Sequence, residues 1–210
     1  MPDDSPLAPG RRIPLAIKLT YSAFVAVLVP FYLDYYGPAN FLWFCDMALL
    51  LTVPALWWES HLLASMQLVA VLLGSLIWLA DFLVRLASGG FLIGWTHYMF
   101  NANVPLVIRG LSLYHGVMPF FLLRLVARVG YDRRGWLLQS LLAWVVLPVC
   151  FFFTEPSRAL NGVFGPSGQH PQTWMPPGAW LALVMLLYPL GVFMPTHLLL
   201  RWVMPTQGRR

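Results

Sequence analysis

The sequence predicts an all-α, polytopic integral membrane protein: a bundle of six transmembrane helices with both termini on the cytoplasmic side. Three observations predict it. Apolar runs of spanning length alternate with short polar connectors along nearly the whole chain. Only 10% of the 210 residues are charged, 59% are hydrophobic and the mean hydropathy is +0.69, whereas soluble domains carry roughly 25% charged residues. Aromatic residues make up 15%, ten of them Trp, which fits the gathering of Trp and Tyr at membrane interfaces.

Residues 1–12 are polar and proline-containing, and read as a loose cytoplasmic N-terminus. The rest is one transmembrane domain, 13–204, followed by a basic tail at 205–210. The first span covers about 13–36, and Pro30 inside it is expected to kink rather than break it. No small-x-small cleavage pattern follows this run, so it reads as a retained span rather than a signal peptide. Gly37-Pro38 turns the chain into a second span, about 40–58, which carries Cys45 and Asp46 side by side.

The third span, about 62–86, places Gly74, Trp78, Asp81 and Arg85 on one helical face, expected to point inward. Residues 87–103, rich in Gly, aromatics and Asn, read as an interfacial or re-entrant segment with one short helix. The fourth span, about 104–129, contains Arg109, Ser112 and His115, and the fifth covers about 135–154. A Pro- and Gly-rich connection then leads to the sixth span, about 178–204. A loop of that length in a compact protein is usually functional or disordered.

The net charge of +5 and pI near 9.6 do not indicate nucleic acid, because the basic residues flank apolar runs. With the N-terminus cytoplasmic, ten basic residues fall on the inside and only Arg85, Arg109 and Arg158 outside. The protein is therefore expected in a cell membrane, with membrane lipids as partners and no nucleic acid. Cys45 and Cys150 are the two cysteines, without CxxC or Cys/His zinc spacing, so no metal and no cofactor are expected. Similar depth leaves a Cys45–Cys150 bond open.

This orientation gathers Asn40, Cys45, Asp46, Asp81, Arg85, Arg109, Ser112 and His115 in the outer half or near the midplane, and leaves the inner half with little beyond its basic rim. Asp46 is expected roughly 9 Å along its helix and His115 roughly 16 Å along its own. The one-sidedness predicts a polar cavity opening to the extracytoplasmic face. An ionisable residue inside a span is a functional hypothesis by default. Asp81 and Arg85 at i, i+4 have the spacing of an intrahelical ion pair. Arg109 is a second cation able to pair with Asp46 or Asp81, or to hold a phosphate. His115 suits a general base or proton carrier as well as an interhelical hydrogen bond. Cys45 is either a small hydrophobe or a nucleophile that needs a neighbouring base. Thr52 returns to nearly the same face as Cys45. His61, His97, His170 and His197 lie at rims or in loops, and of these only His97 is a second candidate.

The segments NFLWFCDMALLL, PLVIRGLSLYHGVMPFFLL and LNGVFGPSG with PPGAW resemble three patches of the YwaF-type bacterial integral membrane proteins. Those are related to eukaryotic membrane acyltransferases and to androgen-induced hydrolases of fatty-acid esters. The resemblance implies chemistry on a lipid acyl ester, with Cys45 as nucleophile, His115 as base and Asn161 as polar support. Asp46 beside the Cys, the many Trp and the proline-rich last outer loop depart from that pattern. Three functions follow from the sequence: acyl transfer or hydrolysis on a lipid ester, with Arg109 stabilising charge; small-solute or proton-coupled transport through Asp46, Asp81, Arg109 and His115; and a non-catalytic scaffold or lipid binder.

Overall fold

The computed structural model describes residues 13–166 and 171–204; the expectations for 1–12, for the tail at 205–210 and for His170 lie outside the described residues. Six long helices run up and down: α1 (Leu15–Tyr36), α2 (Phe44–Trp57), α3 (His61–Ser88), α4 (Leu106–Val129), α5 (Gly135–Phe153) and α6 (Pro177–Val203). Five of them are long and apolar enough to cross a membrane, and α2, at 14 residues, is the short sixth. The protein is an all-α integral membrane bundle. Both ends of the described chain lie at one end of the bundle, the terminal end; the connections after α1, α3 and α5 form the other, the loop end.

α3 is the axle. Residues 67–72 along it are all buried, so apolar and small side chains face neighbours in every direction. α2, α4 and α5 pack around it. Its close approaches depend on missing side chains: a Cβ on Gly135 of α5 would stand 2.9 Å from Ser65 Cβ, and one on Gly116 of α4 would stand 3.4 Å from Leu79 Cδ1. α1 stands outside this core, with 17% of its spanning window buried. Pins along its length hold it: Lys18 to Glu59 at 2.7 Å, Trp57 Nε1 to Ser22 at 3.0 Å, Tyr21 to the Leu49 carbonyl at 3.0 Å and Tyr32 to Ser112 at 2.6 Å.

Proline accompanies the irregular turns of two of the spans. α1 passes Pro30 without interruption. α4 is broken at Leu113 into Leu106–Ser112 and Tyr114–Val129, with tighter bonds from Leu113 N to Gly110 O and from Gly116 N to Leu113 O. Pro119 lacks the N–H that would reach the His115 carbonyl, which loosens this turn. α6 contains a π-helical turn at Tyr188–Phe193, with Pro189 inside it and Pro195 two residues beyond it.

The second span begins later than the sequence indicates. Pro38–Leu42 form a 3₁₀ turn, and α2 starts only at Phe44. Asp46 is thus in the first helical turn, about 3 Å from the helix start rather than 9 Å. Asn40 stands in the turn before the helix.

Candidate functional site

Asp46 is the hub of the loop end. Its carboxylate, 3% exposed, accepts from Asn40 Nδ2 and from the Tyr114 hydroxyl, each at 2.8 Å. Its place in the first turn of α2 adds the favourable end of the helix dipole. No arginine is needed: the carboxylate is held by two neutral donors and a helix terminus. The helix start itself is capped from afar. Asn161 accepts from Phe44 N at 3.0 Å and donates to the Leu42 carbonyl at 2.8 Å, so it does for α2 what an N-cap residue would do locally. Asn161 adopts φ 50°, between Ala159 at φ 44° and Gly162 at φ 70°, and this left-handed run drives the segment 159–163 into the bundle. Asn161 is therefore the fastener of α2, with Nδ2 also 3.6 Å from Cys150 Sγ.

Beside this hub, the Tyr32 hydroxyl bonds Ser112 Oγ at 2.6 Å, and Ser112 Oγ also donates to the Ile108 carbonyl. The hydroxyl of Tyr98, from the turn His97–Phe100, lies by Ser112 and Trp78. His115 Nδ1 sits 2.9 Å from the Ser112 carbonyl, and its ring lies against Trp78 (5.1 Å between centroids) and Tyr114 (4.1 Å). A carbonyl facing Nδ1 requires the proton on that nitrogen and leaves Nε2 as the acceptor. Cys45 is half-buried and, like Cys150, a free thiol, so these two are not bridged. Among the described residues no hydrogen bond joins Cys45 to His115; the Tyr114 hydroxyl lies by the thiol, and that residue is the direct neighbour of the histidine.

Two expected charge pairs are replaced by other contacts. Asp81, fully buried, does not pair with Arg85. Its oxygens accept from Ile93 N, Gly94 N, Thr96 N and Thr96 Oγ1 at 2.7–3.0 Å, so the carboxylate anchors the connection between α3 and α4. Arg85 lies over the rings of Phe91 (4.6 Å) and Phe100 (5.4 Å), a cation–π site. Arg109 pairs with neither Asp46 nor Asp81; its Nη1 donates to the Met99 carbonyl at 3.3 Å, while its Nε has no hydrogen-bond partner among the described residues. Four backbone and hydroxyl donors satisfy Asp81 more completely than one flexible guanidinium, which leaves both arginines to the aromatic and carbonyl groups of the same loop.

The other secondary candidates make local contacts. Thr52 Oγ1 donates to the Ala48 carbonyl one turn back, and His97 stacks on Phe91. The terminal end is also more polar than expected: Ser65, Gln67, Gln139, Ser140, Thr196 and His197 are all buried there. His197 Nδ1 bonds the Tyr131 hydroxyl at 2.7 Å, and Gln67 and Gln139 each keep one amide atom without a partner among the described residues. Those residues sit inside otherwise apolar runs, and only the all-round burial of α3 marks them.

A groove of about 600 Å³ lies between α1 and α4. Ala16, Ile17, Thr20, Tyr21 and Phe24 form one wall, Gly110, Leu111, Leu113, Tyr114, Val117 and Met118 the other, and Leu49 the floor. It exists because α1 is pinned at intervals rather than packed along its length. Tyr114 belongs to both features: its ring lines the groove and its hydroxyl holds Asp46. Compared with protein-family profiles, curated proteins and solved structures, the chain has no match.

Proposed function

We propose that this protein binds a membrane lipid by taking one acyl chain into the groove between α1 and α4. The observation that carries this reading is the groove itself: it lies between two spanning helices and is lined almost wholly by apolar side chains. Its volume is within the range of about 300–1,000 Å³ typical of small-molecule sites. The count of basic residues supports an orientation with the terminal end in the cytoplasm and the loop end, with Asp46, on the extracytoplasmic side of a bacterial cytoplasmic membrane.

Acyl transfer or hydrolysis on the ester of that lipid is the second reading, favoured by the unprotonated Nε2 that the Ser112 carbonyl imposes on His115. In it, after a rearrangement that brings the two together, Cys45 gives its proton to His115 and attacks the ester carbonyl, the acyl C–O bond breaks, His115 returns the proton to the departing alcohol, and water or a second alcohol then takes the acyl group from the Cys45 thioester. Binding is tested by native mass spectrometry of lipid retained by the protein in mild detergent. Val117→Trp fills the groove and is expected to abolish retention; unchanged retention refutes the groove as the lipid site. Chemistry is tested with a fluorogenic lipid ester: turnover by wild type that is lost in both Cys45→Ala and His115→Ala supports it, and no turnover leaves a binder.

A further inference from the structure

Arg124 is exposed on α4, about 8 Å before the helix ends at Val129, and among the described residues it forms no ion pair. A guanidinium always keeps its charge, and on the outer face of a spanning helix it needs water or an anion at the level of the headgroups. The acidic groups described at the terminal end are engaged elsewhere, Glu59 with Lys18 and Asp132 with Arg134. Helix geometry sets where Arg124 points. It stands seven residues beyond Val117, which lines the groove, so it continues the groove face of α4, and Arg128 follows one turn later on the same face.

Two contacts set the register of α1 against the antiparallel α4: the Tyr32 hydroxyl on Ser112 at 2.6 Å, and the Tyr21 ring stacked on Phe121 at 5.0 Å. This register places Thr20 level with about residues 122–124 of α4, and Ala16 and Ile17 level with about residues 125–128. All three line the groove, although its α4 wall ends at Met118. The groove therefore reaches along α1 to the depth of Arg124.

We propose that Arg124 holds the phosphate of the lipid whose acyl chain lies in the groove, and that this lipid is an anionic phospholipid of the leaflet at the terminal end. This rests on the groove reading above. The groove lining is uncharged, so it accepts a chain without choosing a headgroup, and Arg124 makes the choice. An anionic headgroup is favoured over a zwitterionic one because α4 brings two positive charges to one face, and basic sites between spanning helices select such lipids. From Arg124 the chain runs toward Tyr114, about 15 Å along α4, which is half of a hydrocarbon core about 30 Å thick. One chain of one leaflet fills that length. The pose keeps the ester at the Arg124 end, away from Cys45 and His115, and so favours binding over ester chemistry.

The test is native mass spectrometry of the full chain in mild detergent, offered phosphatidylglycerol or phosphatidylcholine with identical acyl chains. The expected result is about fivefold tighter binding of phosphatidylglycerol, the worth of one basic side chain facing an anionic headgroup. Arg124→Gln should bring phosphatidylglycerol down to the level of phosphatidylcholine and leave the latter unchanged, while Arg124→Lys keeps most of the preference. Arg124 is exposed, so neither change touches the core. Glycerol 3-phosphate, the same phosphate chemistry without chains, should not compete at millimolar concentration; displacement of the lipid by it would reveal a site for free phosphate and overturn the lipid assignment. Equal affinities of the two lipids in wild type overturn the headgroup inference and leave the groove reading standing. A preference that survives Arg124→Gln overturns the role of Arg124. Binding of neither lipid overturns the groove reading and this inference with it.

Discussion

The Tyr114 hydroxyl donates to Asp46 Oδ1 at 2.8 Å across 68 residues of sequence, and this bond ties the broken helix α4 to the first turn of α2. With Asn40 on the second oxygen, it completes the donor set of the buried carboxylate. Tyr114→Phe removes one of the two donors and nothing else of comparable size. The expected cost is about 1–3 kcal/mol, the usual penalty of leaving a buried acceptor oxygen without its donor. In an Asp46→Asn background the same change is expected to cost less than about 1 kcal/mol, because the amide cannot accept on both sides. Unfolding titrations in mixed micelles measure the cycle, and additive effects would show that the two residues act independently.

Asn161 fastens α2 through both halves of its amide, so its substitutions separate the two bonds. Asn161→Ala leaves Phe44 N and the Leu42 carbonyl unpaired and places Ala at a left-handed φ of 50°. A loss of about 2–4 kcal/mol is expected from the missing cap and the orphaned carbonyl. Asn161→Asp keeps the acceptor for Phe44 N and loses only the donor, so its cost should be smaller by about half. An Asp variant as unstable as the Ala variant would contradict the capping role.

The six helices are legible because an apolar run near bilayer length fits little besides a spanning helix, and because the end of α1 at Gly37 and of α4 at Gly130 carry glycine at positive φ. Asp46 also announces itself, as any carboxylate in such a run does. Its partners do not. Asn40 lies in a stretch whose apolar neighbours read as helix, although Pro38 and a 3₁₀ turn hold it outside. Asp81 and Arg85 have ion-pair spacing, and nothing in the sequence says that loop N–H groups will claim the carboxylate first. Asn161-Gly162 does carry a signal, since Asn-Gly marks positive-φ turns, but the address of its side chain, the start of α2, is a tertiary fact. Trp78 belongs to the inward face read from periodicity, while its stacking on the His115 ring is a tertiary fact.

The turn between α4 and α5 supplies a pH-dependent contact at the terminal end. Arg134 hydrogen-bonds Asp132 through Nε at 3.2 Å and Nη2 at 2.8 Å, and this holds the Asp132 carboxyl below its usual range. A folded value below the unfolded one stabilises the fold above the unfolded pKa of about 3.9, and that contribution disappears as the pH falls through the folded value. The stability difference between wild type and Arg134→Ala should therefore be constant from neutral pH to about pH 5 and shrink below about pH 4. Arg134 is solvent-exposed, so high salt should reduce the difference as well. A difference unchanged by acid would mean that Arg134 acts through packing.

Asp81 controls whether the connection from Gly89 to Pro105 is a fixed cover or a loose strand. Four donors from Ile93, Gly94 and Thr96 converge on this one buried carboxylate, and Gly94 takes a φ of 85° to present its N–H. Asp81→Ala leaves these donors without their acceptor and removes the anchor that holds the Tyr98 turn over Ser112 and Trp78. Amide exchange at 93–96 should accelerate by at least about tenfold, and a protease should cut the segment, while the amides of α3 below residue 75 keep their protection. Asp81→Asn retains one acceptor oxygen and should fall between. If exchange in the loop is unchanged in Asp81→Ala, the aromatic contacts of Arg85, Phe91 and Phe100 hold the cover by themselves, and loosening it would then require Arg85→Ala.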